Sequence, residues 1–322
     1  MSTEAYPKQG KYIYIYNCHE TERELCEMEL RALFNAEPCS SVYIESSQVI
    51  DPSRSPFISM RMDVMFAERT LEDVVELVSS LELGANRFKV RYIKGGVKHS
   101  YDEQRQIERQ VGGSIRGRAD MRTPDIVFGL LPLDMGWIFG ICHLAEPEWL
   151  KHKDKPQNYS TGLSTVVARA LVNIAVPVPE GVKVIDPCCG MGNVLIEALS
   201  MGMDIVGRDI NPLAIRGARI NLRHFGYSDN DIVTIGDMNE IDRQYDAAIL
   251  DMPYNLCSVL SQEETAAMLA SAGRFSRRSV IVSSEALEAA ISGAGFTILD
   301  RCKVRKGSFV RNIWLCKMGT ND

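Results

Sequence analysis

The sequence from Thr161 onwards alternates between short apolar runs and longer runs with apolar residues at helical spacing. The short runs are typical of buried strands, and the longer ones are typical of amphipathic helices. Because parallel strands need crossover connections, this alternation predicts an α/β domain over residues 161–322, with a doubly wound, mostly parallel sheet. The last two apolar runs, 295–304 and 308–318, lie close together and predict a hairpin at the sheet edge.

The first half of the chain mixes strand-like and helix-like runs and predicts an α+β region over residues 1–150. A length of 322 residues also favours two domains. Residues 146–160 are polar, charged and contain two prolines, so we expect the connection there, with the linker at 151–160.

The nine cysteines show no C-x-x-C spacing, and a disulfide between the adjacent Cys188 and Cys189 would be strained. Reduced thiols, and no stretch resembling a signal peptide, predict a cytoplasmic protein. Residues 126–145 are apolar, but Asp134 would cost roughly 2.5 to 3.5 kcal/mol within a membrane. Pro132 and Gly136 indicate a turn, so we predict two strands rather than a membrane span.

Glycines and a carboxylate follow the first predicted strand of the second half, at the edge where open parallel sheets bind ligands. Asp186 ends this strand, and Gly190 and Gly192 precede a helix, whose first N–H groups favour an anionic ligand. A dinucleotide fingerprint needs a third glycine where this chain has Leu195. The pattern therefore favours a ligand without a required pyrophosphate.

Two further carboxylates end the next two predicted strands. Asp209 lies 19 residues after Gly190, where a carboxylate accepts hydrogen bonds from ribose hydroxyls, and Asp237 is expected near an adenine edge. Any one of them alone fits a helix cap or a solvated turn, but three successive strand ends favour a nucleoside site. The predicted cofactor-binding residues are Asp186, Cys188, Gly190, Gly192, Asp209, Ile210, Asp237 and Met238.

The segments VIDPCCGMGNVLIEAL, GRDINPLAIRGARINL, IGD and DMPY resemble successive motifs of class I S-adenosylmethionine-dependent methyltransferases. More narrowly, KPQNYSTGLSTVVARALVNIA with DMPY is similar to the THUMP-containing tRNA guanine N2-methyltransferases, and SRSPFISMRMDVMF and IRGRADMRTPDIVFG resemble their amino-terminal region. The resemblance implies S-adenosyl-L-methionine as cofactor and a ferredoxin-like and THUMP module in residues 1–150. It also implies methylation of guanosine 10 of tRNA.

The predicted catalytic segment is Asp251, Met252, Pro253 and Tyr254, where the family has Asp-Pro-Pro-Tyr. The exocyclic amine of guanine is a poor nucleophile, so we expect Asp251 and the carbonyl of Met252 to orient it by accepting its N–H groups. Pro253 restricts the backbone of Met252, and Tyr254 is expected to stack on the base. Loss of the first proline is expected to loosen Asp251. A strand end followed by a turn is the alternative interpretation.

Residues 87–122 contain ten basic and four acidic side chains in a chain of formal net charge -6. This local excess of positive charge predicts contacts with RNA phosphates, although a solvated charged helix also explains part of it. The predicted RNA-binding residues are Arg87, Lys89, Arg91, Arg116 and Arg118, with Ser308 and Arg311 near the carboxyl end. At that edge hairpin, solubility explains the charge equally well.

Three functions remain open from the sequence. The first is methylation of a guanine amine in tRNA, and the second is methylation of adenine or cytosine amines in DNA. The third is RNA binding without catalysis, which is suggested by Met252, Cys188 and Met191 in places where the family has other residues. No metal site and no membrane contact are predicted. The modified nucleotide, the number of methyl groups and an auxiliary subunit are left undetermined.

Overall fold

The structure, a computed structural model, describes residues 11–159, 162–228, 231–253, 260–307 and 309–319. Within these ranges the chain forms two compact units that interleave along the sequence. Residues 11–17 and 36–146 belong to the first unit, and residues 18–35 and 147–319 belong to the second. The short segment 18–35 therefore packs with the carboxyl-terminal half of the chain. The predicted domains, residues 1–150 and 161–322, assign this segment to the first half of the chain instead.

The first unit contains a seven-stranded mixed sheet with the order β2-β1-β3-β7-β6-β4-β5. The β4 strand pairs in parallel with β5 and β6, and the other neighbours are antiparallel. The hairpin predicted for residues 126–145 is present as β6 and β7. The elements are β1 (Tyr12–Tyr16), β2 (Tyr43–Ser46), β3 (Ile58–Glu68), α2 (Leu71–Val78), β4 (Glu82–Tyr92), α3 (Tyr101–Ser114), β5 (Arg116–Ala119), β6 (Ile126–Leu133) and β7 (Gly136–Leu144).

Two capped helices cover one face of this first sheet. Thr70 caps α2 and Ser100 caps α3, and each is part of a capping box. The apolar faces of the helices pack on the alternate β4 residues Phe88, Val90 and Tyr92 in one buried cluster. The intervening residues of β4 therefore project from the opposite face.

The second unit confirms the predicted doubly wound α/β fold. Its seven strands have the order β10-β9-β8-β11-β12-β14-β13; the first five are parallel, and β14 pairs antiparallel with β12 and β13. The elements are α1 (Arg23–Phe34), α4 (Thr165–Ala175), β8 (Lys183–Asp186), α5 (Asn193–Ser200), β9 (Asp204–Asp209), α6 (Pro212–His224), β10 (Val233–Ile235), β11 (Tyr245–Asp251), α7 (Gln262–Phe275), β12 (Ser276–Ser283), α8 (Glu288–Gly293), β13 (Phe296–Lys306) and β14 (Phe309–Met318).

Helix α1 is part of this second unit. Arg31 donates two hydrogen bonds to Asp300 of β13, at 2.8 and 3.1 Å. In the interior, the Nδ2 of Asn173 donates to the fully buried Glu29 at 2.6 Å. Glu24 accepts the backbone N–H of Lys303 at 2.9 Å and so satisfies one donor of the edge strand. Six apolar residues of α1 are also buried: Leu25, Cys26, Met28, Leu30, Leu33 and Phe34.

The polar segment that the sequence predicts as a connection is packed over much of its length. Residues Glu148–Asp154 form a 3-10 helix in which Trp149 and His152 are buried. His152 lies 2.7 Å from Glu197 of α5, and Glu197 also accepts from Arg169 of α4 at 2.9 Å. Among the described residues, no helix is long and apolar enough to cross a membrane. The eight described cysteines are free thiols.

Candidate active site

Four carboxylates converge at the carboxyl edge of the second sheet. Asp186, Asp209 and Asp251 are the last residues of the adjacent strands β8, β9 and β11, and Asp237 follows β10 by two residues. Burial raises the pKa of Asp186 well above its ordinary value, and the charges of Asp251 and Asp209 raise it further. Because the ligands of such folds bind at this edge, the predicted residues lie where a site is expected.

The loop after β8 presents backbone rather than side chain to the space beyond the sheet. Gly190 has a φ of +52°, and a Cβ placed there would meet no atom within 4 Å. Gly192 has a φ of +80° and lies at the N-cap of α5. Both glycines thus occupy the left-handed region that other residues avoid, and the open space at Gly190 lets a ligand approach the main chain.

Asp209 holds this loop as well as facing the ligand edge. Its Oδ2 accepts the N–H of Gly190 and its Oδ1 accepts the N–H of Asn211, both at 2.8 Å. A carboxylate has about four lone-pair positions, so two remain for hydroxyl donors. Next to it, Ile210 is 69% exposed and offers an apolar surface to a flat ring.

The other predicted cofactor residues differ in what they present. Asp237 caps a short 3-10 turn by accepting the N–H of Asn239 at 2.8 Å. Met238 is buried in the core and its sulfur lies 3.8 Å from the thiol of Cys188, so its side chain is a packing element. All four carboxylates of the edge, in addition to burial, raise the pKa of Cys188, which places its thiol among them.

Asp251 is the one carboxylate of the edge that has a buried oxygen without a hydrogen bond within the described part of the chain. Its Oδ1 is buried and, among the described residues, has no hydrogen-bond partner. Burial is the main cause that raises its pKa, to about 7, and the charge of Arg311 opposes this rise. A buried acceptor without a donor is costly, and a catalytic role is one of the reasons for which native proteins keep one. Asp251 therefore has the properties expected of a catalytic acceptor.

Arg311 lies on the same face of the sheet as Asp251. Asp251 is in register with Val282, and Val282 is in register with Ile313, which is two residues from Arg311. Arg311 is only 5% exposed, and its guanidinium group is 4.7 Å from the centroid of the Phe309 ring. The sequence placed Arg311 in an RNA-contacting surface, whereas the structure buries it beside the catalytic candidate.

Met252 adds a backbone hydrogen bond that the family's proline cannot form. Its N–H donates to the carbonyl of Val282 at 2.9 Å, and its side chain is 2% exposed in the core. Proline has no N–H group, so this bond ties the residue after Asp251 to β12 in a way that a proline at this position would not allow. Pro253 is exposed at the end of the described segment, and Tyr254 lies outside the described residues.

The five basic residues predicted to bind RNA in the first unit share one face of its sheet. Arg87 is in register with Arg118, and a side chain at Gly117 would meet Leu83 and Phe88 on the helix-covered face. Arg116 and Arg118 therefore project from the opposite face, together with Arg87, Lys89 and Arg91. Part of this charge is already paired: Arg87 contacts Asp120 and Asp125, and Arg116 contacts Glu82. Ser308 lies outside the described residues.

Asn221 supports the glycine loop from behind and was not predicted from the sequence. It is fully buried in α6, and its Nδ2 donates to the carbonyls of Met191 and Gln157, both at 2.9 Å. Its Oδ1 accepts the N–H of Gln157 at 2.8 Å. Asn221 thus joins the glycine loop to the segment before α4. The sequence contains one sign of this role, because in RINLRHF a polar asparagine stands on the apolar face of the predicted helix.

Comparison with known protein families matches residues 153–295 to the UPF0020 family, described as an RMKL-like methyltransferase domain. The predicted S-adenosylmethionine-dependent methyltransferase domain is confirmed by this match. The matched residues contain the glycine loop and all four carboxylates of the edge.

Curated relatives agree with the UPF0020 match. A tRNA (guanine(10)-N2)-dimethyltransferase of Methanothermobacter thermautotrophicus is 26% identical over 267 residues, 75% of this chain and 78% of that protein. Another, of Pyrococcus abyssi, is 28% identical over 60% of this chain and 61% of that protein. A mouse U6 snRNA (guanine-N(2))-methyltransferase, THUMPD2, is 30% identical over 42% of this chain and 26% of that protein. The resemblance to the THUMP-containing guanine N2-methyltransferases is thereby confirmed.

Most of the chain aligns with a solved structure of similar fold. TrmN from Thermus thermophilus aligns with a TM-score of 0.51 at 18% identity, and the alignment covers 96% of this chain and 100% of that chain.

The site in the UPF0020 domain fits S-adenosylmethionine. The open backbone at Gly190 suits the methionine part, Asp209 has acceptor positions for ribose hydroxyls, and Ile210 offers an apolar surface for adenine.

Proposed function

We propose that this protein transfers a methyl group from S-adenosylmethionine to the exocyclic N2 amine of a guanosine in tRNA, at the position named for its relatives, guanosine 10. The observation that carries the proposal is the buried Oδ1 of Asp251, which accepts no hydrogen bond from the described residues and lies at the edge where the predicted cofactor residues meet. An exocyclic amine supplies the N–H that this oxygen lacks. The names of the relatives favour guanine in RNA over an amine in DNA.

S-adenosylmethionine, when bound, supplies a methyl group activated by its positively charged sulfur. Asp251 accepts one N–H of the guanine amine, and this turns the nitrogen lone pair towards the methyl group. The carbonyl of Met252 is the second acceptor, and the hydrogen bond from the Met252 N–H to Val282 fixes the peptide just before it. Two acceptors on adjacent residues hold the amine in a single orientation.

The amine must also lose a proton as the new bond forms. An ordinary aspartate, with a pKa of roughly 3.9, holds that proton weakly. Burial raises the pKa of Asp251 to about 7, so the carboxylate is ionised in slightly alkaline solution and still takes up the released proton. Arg311 stabilises the ionised form before transfer, because its charge opposes the rise caused by burial.

The basic face of the first unit is the proposed binding surface for tRNA. Arg118 and Arg116 are exposed on β5, and Lys89 and Arg91 project from the same face of β4. Lysine and arginine side chains on one face bind the phosphate backbone without reading sequence, which suits a structured RNA. We place the reaction in the cytoplasm, because the described cysteines are free thiols.

The test uses the full chain, S-adenosylmethionine and two unmodified tRNA transcripts. One transcript carries guanosine at position 10, and the matched control carries inosine, the same ring system without the N2 amine. Mass spectrometry of the digested RNA should find N2-methylguanosine only in the first. Methylation of adenine or cytosine in a DNA substrate, or no methylation of either RNA while the cofactor binds, would contradict the proposal.

A further inference from the structure

A groove in the second unit lies apart from the proposed active site. It is a cavity of about 340 Å³ between α6 and the edge strand β10. Three arginines and several apolar side chains line it, and the described lining residues include no carboxylate. The main lining residues are Arg216, Arg219, Arg223, Ile215, Ile220 and Ile235.

The three arginines form one stripe along the helix. Positions 216, 219 and 223 are spaced by three and four residues, so their side chains leave α6 on the same side. Arg216 and Arg223 are exposed, while Arg219 lies lower and reaches the carbonyl of Val233 in β10 at 3.5 Å. Guanidinium groups bind phosphate oxygens through paired hydrogen bonds, so the stripe suits a row of phosphates.

The floor of the groove is apolar. Ile215 is buried, Ile220 is half-buried, and Ile235 is 54% exposed at the end of β10. A surface with guanidinium groups at the rim and aliphatic side chains below matches a ribose-phosphate chain, whose charge lies on one side and whose sugars lie on the other. Free phosphate would leave the apolar floor uncovered.

The groove begins at the ligand edge of the sheet. Helix α6 starts three residues after Asp209, and Ile235 precedes Asp237 by two residues. The strand order puts β10 three strands from β11, or about 14 Å at about 4.8 Å per strand. RNA that delivers a base to Asp251 therefore needs only a few further nucleotides to reach Arg216.

We infer that the α6 groove binds the phosphate backbone of the substrate RNA a few nucleotides away from the methylated base. The inference rests on the proposed function and extends it, since it gives the methyltransferase unit its own RNA contacts. RNA binding is then not confined to the basic face of the first unit.

The test compares two double variants of the full chain. Arg216→Gln with Arg223→Gln removes two exposed charges from the groove. Arg277→Gln with Arg301→Gln removes two exposed arginine charges from β12 and β13, elsewhere in the same unit. The groove variant should bind tRNA at least about tenfold more weakly at physiological salt, and its salt slope should fall by about 1.4 to 1.8. Cofactor affinity and turnover at saturating tRNA should stay within twofold of wild type.

Tight tRNA binding by the groove variant, with the salt slope of the control variant, would overturn the inference while leaving the proposed function intact. If the variant keeps its RNA affinity but loses binding to polyglutamate, the groove holds an acidic polypeptide instead. Absence of tRNA methylation by the wild type would remove the proposed function and the inference together.

A measurement on the wild type covers the case in which the groove variant fails to fold. Bound tRNA should protect Arg216 and Arg223, but not Arg277, from modification by phenylglyoxal. Equal modification with and without tRNA would overturn the inference.

Discussion

The pH dependence of methyl transfer follows from the buried carboxylate of Asp251. With a pKa of about 7, Asp251 is ionised in about one-tenth of molecules at pH 6 and about nine-tenths at pH 8. Only the ionised form accepts both an N–H bond and the released proton. Single-turnover methyl transfer should therefore rise about tenfold between pH 6 and pH 8. A rate that is flat over this range, or that is already maximal at pH 5, would refute the reasoning.

Substitution of Arg311 should shift the pH dependence without changing Asp251 itself. Its charge lowers the pKa of Asp251, so Arg311→Met should move the midpoint of the profile upwards by about one pH unit. Arg311→Lys keeps the charge and should leave the midpoint near that of the wild type. Cofactor titration and thermal melting of each variant separate this effect from misfolding. An unmoved midpoint in a folded Arg311→Met variant would show that Arg311 does not act on Asp251.

Three further predictions concern the cofactor site and the fold. Asp209→Asn should weaken S-adenosylmethionine binding at least about tenfold by calorimetry, because it loses charge-assisted acceptors, whereas Asp246→Asn, at the opposite end of the sheet, should not. Burial raises the pKa of Asp251, so its contribution to stability is greatest below the unfolded pKa near 4 and is lost as pH rises through 7. Asp251→Asn should therefore raise the free energy of urea unfolding by on the order of 2 to 4 kcal/mol at pH 8 and by little at pH 4. Equal effects at both pH values would contradict this prediction. A fragment of residues 160–322 should show no cooperative thermal unfolding, because removal of α1 takes Arg31 from Asp300 and Glu29 from the buried Asn173. A cooperative transition near the melting temperature of the full chain would contradict this prediction.

Most of the second sheet was predictable because its strands and helices have distinct local periodicity. The short run YDAAILD, for example, is mostly apolar and forms β11 from its first residue to its last. The helical spacing of the apolar residues in α1 is also a local pattern, but its packing with the second unit is not. That packing depends on pairs such as Arg31 and Asp300, which lie 269 residues apart, and no local pattern reports such contacts.

The site was predictable where strand topology alone determines position. Asp186, Asp209 and Asp251 end adjacent strands, so the parallel sheet brings them to one edge. The burial of Arg311 was not predictable, because it depends on the register of β14 against β12. The hydrogen bond from the N–H of Met252 was not predictable for a similar reason, because it depends on the position of Val282 in the neighbouring strand.

The central claim is that Asp251 orients the target amine and receives its proton. Asp251→Asn keeps the size of the side chain, replaces one acceptor oxygen with a donor and removes the proton acceptor. Single-turnover methyl transfer to tRNA by this variant should fall by roughly a hundredfold to ten-thousandfold, while cofactor affinity stays near that of the wild type. Transfer within a few-fold of the wild type by the folded variant would contradict the claim.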